Sequence, residues 1–431
     1  MKKIAFTTLG CKVNMYDTEA MLELFAKKGY EIVEFDDFAD IYVINTCTVT
    51  NFGDKKSRQI IRRAKRQNPQ AIVVATGCYA QVAPDEVEKI QGINIVIGTK
   101  NRSEIVEIVE KYTAEQGVVN AVSSIMKEKE FEPLSISKLK GRTRAYLKIQ
   151  EGCNRFCSYC IIPYARGPIR SRNPQEVIDE VKLLAENGFK EVVLSGIHVA
   201  SYGVDKGTSL IEIVKEVGKI QGIERIRFSS MEPNYVTEEF VREMKAIPKV
   251  CDHFHLSLQS GCDKTLKNMN RRYTSQEYAE AVERLRGAYP EVAITTDIIV
   301  GFPQETEEDF EESCNFAKKV KLAKIHSFPY SPKRGTVAEK MSGQLSNEVK
   351  SERSNAMIEV SNQLNRDFLS SMLGKTRPVL FERNIGDNLY EGHTTNYIRV
   401  VAKSEENLKN MIIDVRLEEI LKEETIMGVI V

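Results

Sequence analysis

Three cysteines stand close together in the segment EGCNRFCSYC, at Cys153, Cys157 and Cys160. Thiolates are soft ligands that suit zinc or an iron–sulfur cluster. Because no fourth cysteine stands nearby, such a site keeps one open metal position, whereas structural zinc sites are closed by four protein ligands. An open iron could instead bind a small chelating molecule. The alternative interpretation is a zinc knuckle or a chance spacing.

A second set of three cysteines is spread along the N-terminal part of the chain. They are Cys11 in TLGCKVN, Cys47 in VINTCTVT and Cys78 in ATGCYAQ, and each follows an apolar stretch typical of a strand. Since the carboxyl ends of parallel strands share one edge of a sheet, we expect the three thiols to converge. The adjacent Gly10 and Gly77 allow close backbone approach to a bulky ligand. The alternative is three buried cysteines acting as small apolar side chains.

The N-terminal segment has the pattern of a parallel α/β unit. Apolar strands are predicted at 3–8, 41–46 and 71–76, with helical patterns between and after them. This unit is predicted to end near residue 115. The segment 117–141 has no clear periodicity and is interpreted as a linker.

The middle of the chain repeats a strand followed by a helix about six times. Six βα units are too few for the usual eight-stranded closed barrel, so an open, partial barrel is predicted, with its site at the C-terminal ends of the strands. The cysteine triple directly follows the first of these strands. The strands are predicted near 144–150, 190–195, 225–230, 253–258, 293–299 and 324–329.

The C-terminal part begins with a long helix, predicted from Ser346 to about Met372 and ended by Gly374. Short strand patterns then continue to the end of the chain, which predicts a small β-barrel. The fold class is therefore α/β. The domains are predicted at 1–116, 142–373 and 374–431, with the linker at 117–141.

Composition and charge restrict the classes of function. Of 431 residues, 42% are hydrophobic and 28% charged, which is typical of a folded protein. No stretch approaches the roughly 18 apolar residues of a membrane span, and we expect a cytoplasmic protein without a signal peptide. Because 61 basic residues balance 61 acidic ones, any contact with nucleic acid needs a local patch. Nine cysteines in a reducing compartment favour metal ligation or catalysis over disulfides.

The spacing Cx3Cx2C, with Tyr159 before the last cysteine, resembles the radical S-adenosylmethionine (SAM) superfamily. The resemblance implies that Cys153, Cys157 and Cys160 hold a 4Fe–4S cluster whose open iron is chelated by SAM. Cleavage of SAM would then give a 5′-deoxyadenosyl radical, so the difficult chemistry belongs to the cofactor.

Over essentially the whole chain, the sequence resembles the methylthiotransferase family, which combines an auxiliary-cluster domain, a radical SAM partial barrel and a C-terminal TRAM β-barrel. The supporting motifs are TLGCKVN, NTCTVT, TGCYAQ, EGCNRFCSYCIIPYARG, LSGIH, SLQSG and TDIIVGFPQET. Within the family, VINTCTVTNFGDKKSRQIIRRA and CDHFHLSLQSGCDKTLKNMNRRY resemble the threonylcarbamoyladenosine tRNA methylthiotransferases of the MtaB type.

The family resemblance implies a reaction and its partners. Cys11, Cys47 and Cys78 would hold a second 4Fe–4S cluster that carries the transferred sulfur. One SAM would donate the methyl group and another would activate C2 of an N6-threonylcarbamoyladenosine at position 37 of tRNA. The implied partners are the tRNA anticodon loop, an external electron donor and a sulfur source, and we expect a monomer.

Residues at the strand ends of the barrel are candidates for holding SAM. The family uses the turn at Ser195 and Gly196 near the SAM amino group, and other candidates follow later strands. Glycine and serine at strand ends more often serve the turn itself. The predicted set is Tyr159, Ser195, Gly196, Glu232, Gln259 and Gly301.

A basic run in a neutral protein is the candidate RNA-binding surface. The segment 55–66 carries seven basic and no acidic residues, although a charge run is usually a solvated helix face. Arg166, Arg170, Arg172, Arg271 and Arg272 add basic groups, and Tyr390 or Tyr397 offers stacking. The predicted RNA contacts are Arg58, Arg62, Arg63, Lys65 and Arg66.

Three hypotheses follow. The first is a methylthiotransferase acting on threonylcarbamoyladenosine in tRNA. The second is an enzyme of the same build acting on isopentenyladenosine in tRNA or on a ribosomal-protein aspartate. The third is a non-enzymatic iron–sulfur or zinc protein, although electron carriers usually have four cysteine ligands per cluster.

Overall fold

A parallel sheet forms the N-terminal unit of the computed structural model, which describes residues 1–136 and 143–431. Its six strands run in the order β2-β1-β3-β4-β5-β6. The strands are β1 (Lys3–Thr8), β2 (Glu31–Val33), β3 (Ile41–Thr46), β4 (Ile72–Gly77), β5 (Ile95–Val96) and β6 (Val119–Asn120). The helices are α1 (Lys12–Lys27), α2 (Asn51–Gln67), α3 (Cys78–Val82), α4 (Pro84–Glu88) and α5 (Ile105–Glu110).

The sheet extends beyond the part that the sequence predicts. Short strands β2, β5 and β6 add to the three predicted ones, and β6 lies inside the segment interpreted as a linker. Strands of two or three residues carry too little periodicity to be recognised in a sequence. The end of the predicted linker, 137–141, lies outside the described residues.

The second unit is an open barrel of parallel strands. Strands β7, β9 and β10 pair in sequence order, strands β11, β12 and β13 do the same, and isolated parallel bridges such as Ile226–Val250 join the two groups. Strand β8 pairs antiparallel with β7. The strands are β7 (Arg144–Glu151), β8 (Arg170–Ser171), β9 (Glu191–Gly196), β10 (Arg225–Phe228), β11 (His253–His255), β12 (Ala293–Val300) and β13 (Lys324–Pro329).

Helices cover the outer face of this partial barrel. Alternation along β7 explains the arrangement: Ala145, Leu147 and Ile149 pack in the core with the helices, whereas Lys148 faces α1 and contacts Asp17. The helices are α6 (Ile162–Arg166), α7 (Pro174–Glu186), α8 (Leu210–Gly218), α9 (Glu238–Lys245), α10 (Asp263–Asn268), α11 (Ser275–Ala288), α12 (Glu307–Lys319) and α13 (Asn347–Ser370).

The C-terminal unit is a closed five-stranded barrel that caps the N-terminal end of the partial barrel. Arg225, the first residue of β10, donates to the carbonyl of His393 at 2.8 Å, and Arg377 pairs with Asp252, just before β11, at 2.5 Å. The opposite end, where strands β7 to β13 terminate, remains the place for chemistry. Its strands are β14 (Thr376–Gly386), β15 (Leu389–Thr394), β16 (Arg399–Lys403), β17 (Ile412–Ile420) and β18 (Thr425–Ile430).

The architecture confirms the predicted α/β class, the partial barrel of six consecutive βα units and the terminal β-barrel. Among the described residues, no helix combines the length and the apolar character that crossing a membrane requires.

Candidate active site

The three N-terminal cysteines meet at one edge of the first sheet. Cys11 follows β1 and precedes α1, Cys47 follows β3, and Cys78 begins α3 after β4. Because β3 lies between β1 and β4 in the sheet, the three strand ends are neighbours. Burial raises the pKa of Cys78, and the charges of Cys11 and Cys47 raise it further, as expected for thiols at neighbouring strand ends. The predicted convergence is therefore present.

Glycines make this close approach possible. Gly10 has φ +104°, and a Cβ atom there would lie 3.0 Å from Sγ of Cys47. Gly77 has φ +95°, and a Cβ atom would lie 2.3 Å from Oδ1 of Asn45. Any side chain would thus both strain the backbone and push the strand ends apart.

Burial disfavours the ionised form of two of the N-terminal thiols. Burial raises the pKa of Cys78 to about 11, and burial also raises the pKa of Cys47. Iron binding displaces the proton from a thiol, so a cluster would form where the free protein holds neutral groups. Nε of Arg166 lies 3.3 Å from Sγ of Cys78 and is placed to donate a hydrogen bond to the resulting thiolate. The donor set fits an iron–sulfur cluster with three protein ligands.

The second cysteine triple occupies the loop between β7 and α6. Its turn is held by backbone bonds from the Cys153 N–H to the Gly167 carbonyl and from the Cys160 N–H to the Cys157 carbonyl, both 3.0 Å. Gly152 has φ +76°, and a Cβ atom there would lie only 1.8 Å from the carbonyl oxygen of Pro168. The local sequence therefore permits one tight loop that presents its thiols together.

Charged neighbours surround this second triple. Burial raises the pKa of Cys153 to about 11 and that of Cys160 to about 12. An Arg271 nitrogen, Nη1, donates to Sγ of Cys157 at 3.2 Å, and this hydrogen bond would be strengthened by the negative charge of a bound cluster. The same guanidinium pairs with Glu232 at 3.0 Å. Three soft donors with a cation beside them suit a second cluster with one open iron.

A cavity of about 1020 Å³ lies inside the partial barrel. It extends from the N-terminal cysteine edge, through the barrel interior, to the C-terminal barrel. It also reaches Ile162, two residues after Cys160. Its lining includes Cys11, Lys12, Ser195, His255, Asp297 and Tyr397.

The residues predicted to hold SAM occupy different environments. Ser195 and Gly196 line the cavity, and the hydroxyl of Ser195 donates to the Leu147 carbonyl at 3.1 Å. Tyr159 packs edge-on against Phe302, with ring centres 6.4 Å apart.

The other three predicted SAM contacts are not among the residues that line the cavity. Glu232 pairs with Arg155 at 2.8 Å and with Arg271; burial favours its neutral form, but His198 and Arg271 outweigh burial and lower its pKa. Gln259 has φ +67° and is buried. Gly301 approaches Lys350 of α13, where a Cβ atom would lie 2.5 Å from that side chain. The structure brings Ser195 and Gly196 to the cavity lining, and the role of the other three residues stays a prediction.

The predicted RNA-contacting residues lie along α2. Arg62 and Arg66 are exposed, Arg63 pairs with Asp36, and Lys65 donates to the Ala71 carbonyl at 2.9 Å. Arg58 is half-buried against Tyr79, to which it donates at 3.0 Å.

Other basic and aromatic residues do not form the RNA surface that the sequence suggests. The arginines at 166, 170, 172 and 271 are buried in ion pairs, so they are closed to phosphates, while Arg272 is exposed. Tyr390 is buried, and Tyr397 stacks between His253 and His393, with ring centres 4.8 and 4.9 Å away. Both tyrosines are therefore occupied by internal packing rather than free to stack on bases.

A buried charge cluster lies beside Cys78, and the sequence does not predict it. Arg166 contacts Glu151 and lies 2.9 Å from Asp17, and Lys148 lies 2.5 Å from Asp17. These residues come from three separate segments, and no motif marks them as partners. The full cluster is Asp17, Arg102, Glu132, Lys148, Glu151, Arg166 and Arg170.

Polar groups inside the cavity also escape sequence reasoning. His255, Asp297 and His326 bring donor atoms within 4.8 Å of one another, and Nε2 of His255 lies 3.4 Å from Oδ2 of Asp297. The sequence shows that His253 and His255 are alternate residues of one strand. It does not show which strands pair with that strand.

Comparisons with known proteins agree with this geometry. Residues 147–317 match the radical SAM superfamily, and residues 3–98 match a family described as uncharacterized protein family UPF0004. The threonylcarbamoyladenosine tRNA methylthiotransferase MtaB of Bacillus subtilis is 44% identical over 97% of this chain and 94% of that protein. The tRNA-2-methylthio-N(6)-dimethylallyladenosine synthase of Acetivibrio thermocellus is 34% identical over 97% of this chain and 89% of that protein.

A solved structure shares the fold. The radical SAM methyltransferase TsrM of Kitasatospora setae, with tryptophan and a SAM analogue bound, superposes with a TM-score of 0.55 at 16% identity. The similarity covers 76% of this chain and 73% of that chain.

Proposed function

The chain belongs to the radical SAM methylthiotransferase family, and from this premise we propose that it adds a methylthio group to C2 of N6-threonylcarbamoyladenosine at position 37 of tRNA. One observation carries the proposal: a single cavity of about 1020 Å³ is lined by Cys11 of one triple and reaches Ile162, two residues after Cys160 of the other. Ligand pockets are typically about 300–1,000 Å³, so this one has room for SAM together with a nucleotide.

The two cysteine triples would hold two 4Fe–4S clusters. Cys153, Cys157 and Cys160 supply three thiolates to the first, and Cys11, Cys47 and Cys78 supply three to the second. With SAM, which also donates the methyl group, these clusters supply the radical and sulfur-transfer chemistry. An external electron donor and a sulfur source are required partners.

The chain's own residues position these groups. Arg271 and Arg166 each donate toward a thiol of one triple, so each is placed to stabilise the negative charge of a bound cluster. The turn at Ser195 and Gly196 lies at the cavity wall, where it would contact SAM. The C-terminal barrel closes the far end of the cavity, since Tyr397 packs on Arg227 with 4.8 Å from the guanidinium to the ring centre.

RNA would approach the end of the barrel that the C-terminal unit leaves uncovered. The target base has to leave its stack to enter the cavity. Phe328 lines the cavity and is 49% exposed, so it offers a stacking surface at the entrance. Exposed arginines on α2, Arg62 and Arg66, are placed to contact phosphates.

The choice of nucleoside is tested in cells. We expect that deleting the gene removes 2-methylthio-N6-threonylcarbamoyladenosine from tRNA and that restoring it returns the nucleoside, as measured by nucleoside mass spectrometry. Restoration with a Cys47→Ser variant should leave the unmodified threonylcarbamoyladenosine in place.

The second candidate substrate is favoured by the 34% identity to the dimethylallyladenosine enzyme over nearly the whole chain. A methylthio group gained on isopentenyladenosine instead would move the assignment to that substrate. If no nucleoside changes, the ribosomal-protein aspartate takes its place.

A further inference from the structure

Lys12 places a positive charge inside the cavity. It is the first residue of α1 and directly follows Cys11, and both residues line the cavity. Its Nζ atom lies 5.5 Å from the centre of the Tyr146 ring. Among the described residues, no carboxylate lies within ion-pair distance of Lys12. Lys12 is exposed to the cavity, so its ammonium is accessible to an anionic ligand there.

Other basic side chains of the same lining have acidic partners. Lys324 contacts Glu424, and Arg227 pairs with Glu191 at 2.9 Å. Arg227 also donates to the Thr395 carbonyl at 2.9 Å. These two side chains are thus held in ion pairs within the protein, whereas Lys12 is not.

A buried imidazole, that of His253, also belongs to the cavity lining. His253 is only 7% exposed, its Nε2 atom lies 3.2 Å from Oγ1 of Thr295, and its Nδ1 atom has no hydrogen-bond partner among the described residues. Lys12 and His253 both line the cavity. An ammonium and an imidazole in one lining suit a ligand with anionic oxygens.

We propose that Lys12 binds the free carboxylate of the threonylcarbamoyl group and thereby selects an acidic N6 substituent over an apolar one. This rests on the proposed function. In threonylcarbamoyladenosine the threonine nitrogen is joined to the carbamoyl carbon, so the carboxylate remains ionised. In adenine, the ring nitrogen N1 lies between C2 and C6, and C6 carries the N6 substituent. A residue next to a ligand of the cluster that acts at C2 is therefore in position to reach that substituent.

The experiment uses the full-length protein with both clusters assembled. Two anticodon stem-loop RNAs are compared, one with threonylcarbamoyladenosine and one with its carboxyl methyl ester, which lacks the negative charge and carries one added methyl group. Dissociation constants are measured by fluorescence anisotropy without reductant, and kcat/KM by mass spectrometry of the product. A hydrogen bond to a charged group contributes roughly 1.5–3 kcal/mol, so wild type should prefer the acid by roughly 10- to 100-fold.

The variants then test whether Lys12 causes the preference for the acid. Lys12→Met should bring the acid-to-ester ratio close to one in binding and in kcat/KM, and Lys12→Arg should retain most of it. Lys219→Met is the charge-matched control, because Lys219 lies on the barrel exterior and pairs with Glu216 at 2.6 Å. It should keep the wild-type ratio.

The outcomes separate this inference from the proposed function. If wild type does not modify the threonylcarbamoyl RNA, the proposed function fails and this inference fails with it. If wild type modifies that RNA but has the same dissociation constant and the same kcat/KM for the acid and the ester, the inference alone is overturned. This conclusion does not depend on whether any variant folds. The same conclusion follows if Lys12→Met keeps the wild-type ratio.

Discussion

Nε of Arg166 lies 3.3 Å from Sγ of Cys78, and so a residue of the radical SAM barrel contacts a thiol of the N-terminal sheet. The Arg166 guanidinium also belongs to the buried charge cluster. In that cluster four cations (Arg102, Lys148, Arg166, Arg170) face three carboxylates (Asp17, Glu132, Glu151). Ionised Cys78 would supply the fourth negative charge, so assembly of the N-terminal cluster would complete the balance between the two units.

Replacing Arg166 should destabilise the protein strongly. Burial alone would raise the pKa values of Asp17 and Glu151, but the surrounding Arg102, Lys148 and Arg166 outweigh it and hold both carboxyls ionised. Removing one cation from a buried network costs about 3–5 kcal/mol. We expect Arg166→Met to lower the free energy of unfolding by that amount in urea denaturation. The exposed Arg242→Met is the control, and a loss of under about 1 kcal/mol for Arg166→Met would contradict the expectation.

Serine at the two triples should remove different clusters. Two clusters correspond to about eight irons per chain. Cys47→Ser should keep about half the iron and still release 5′-deoxyadenosine from SAM under reduction, but form no methylthiolated product. Cys153→Ser should lose about half the iron and form neither. Cys314→Ser, a half-buried thiol outside both triples, should match wild type. Full activity in Cys47→Ser would exclude an auxiliary cluster at that site.

Arg271 should raise the reduction potential of the first cluster. Its Nη1 atom donates to Sγ of Cys157 at 3.2 Å, and reduction adds negative charge to a cluster. Removing this cation should make the potential more negative. We expect that shift for Arg271→Gln in a redox titration followed by electron paramagnetic resonance, with the Cys47→Ser change present so that one cluster contributes. Arg272→Gln, exposed and adjacent, is the matched control. An unchanged potential would show that the contact has no electronic effect.

Arginines near the end of α2 should contribute to RNA affinity through phosphate contacts. Each phosphate contact changes the slope of log K against log salt by about 0.7–0.9. The double variant Arg62→Ala/Arg66→Ala should therefore bind tRNA more weakly and lower the slope by about 1–2, as measured by filter binding at several salt concentrations. Arg242→Ala, on the outer helix α9, should leave both quantities unchanged. Equal slopes for the double variant and wild type would mean that this helix face is merely solvated.

Tyr397 should matter for stability rather than for RNA stacking. Its ring lies between His253 and His393 and beneath Arg227. Because the ring is only partly buried, Tyr397→Ala should cost about 2–4 kcal/mol, within or below the range for buried aromatic residues. In thermal unfolding, Tyr397→Ala should have a lower midpoint than wild type. Tyr397→Phe keeps the ring, so its midpoint should be close to that of wild type. A stable Tyr397→Ala variant with weakened tRNA binding would support the stacking role instead.

The sequence by itself determined the fold class and the two cysteine triples. Strands 3–8 and 41–46 are read from apolar runs between turns, and the structure has them at Lys3–Thr8 and Ile41–Thr46. Such patterns are local, because a strand or helix buries one face whose spacing repeats along the chain. The convergence of Cys11, Cys47 and Cys78 follows from the rule that parallel strands end at one edge.

Only the tertiary structure decided what the charged residues do. Arg166 and Arg170 resemble surface residues in the sequence, yet both are buried, while Arg62 and Arg66 are exposed. Lys12 and His253 lie far apart in the chain and face one cavity. A charge is buried or exposed, paired or free, according to which distant segments pack against it. The burial and pairing of a charge depend on packing between elements, and they produce no periodic pattern in the sequence.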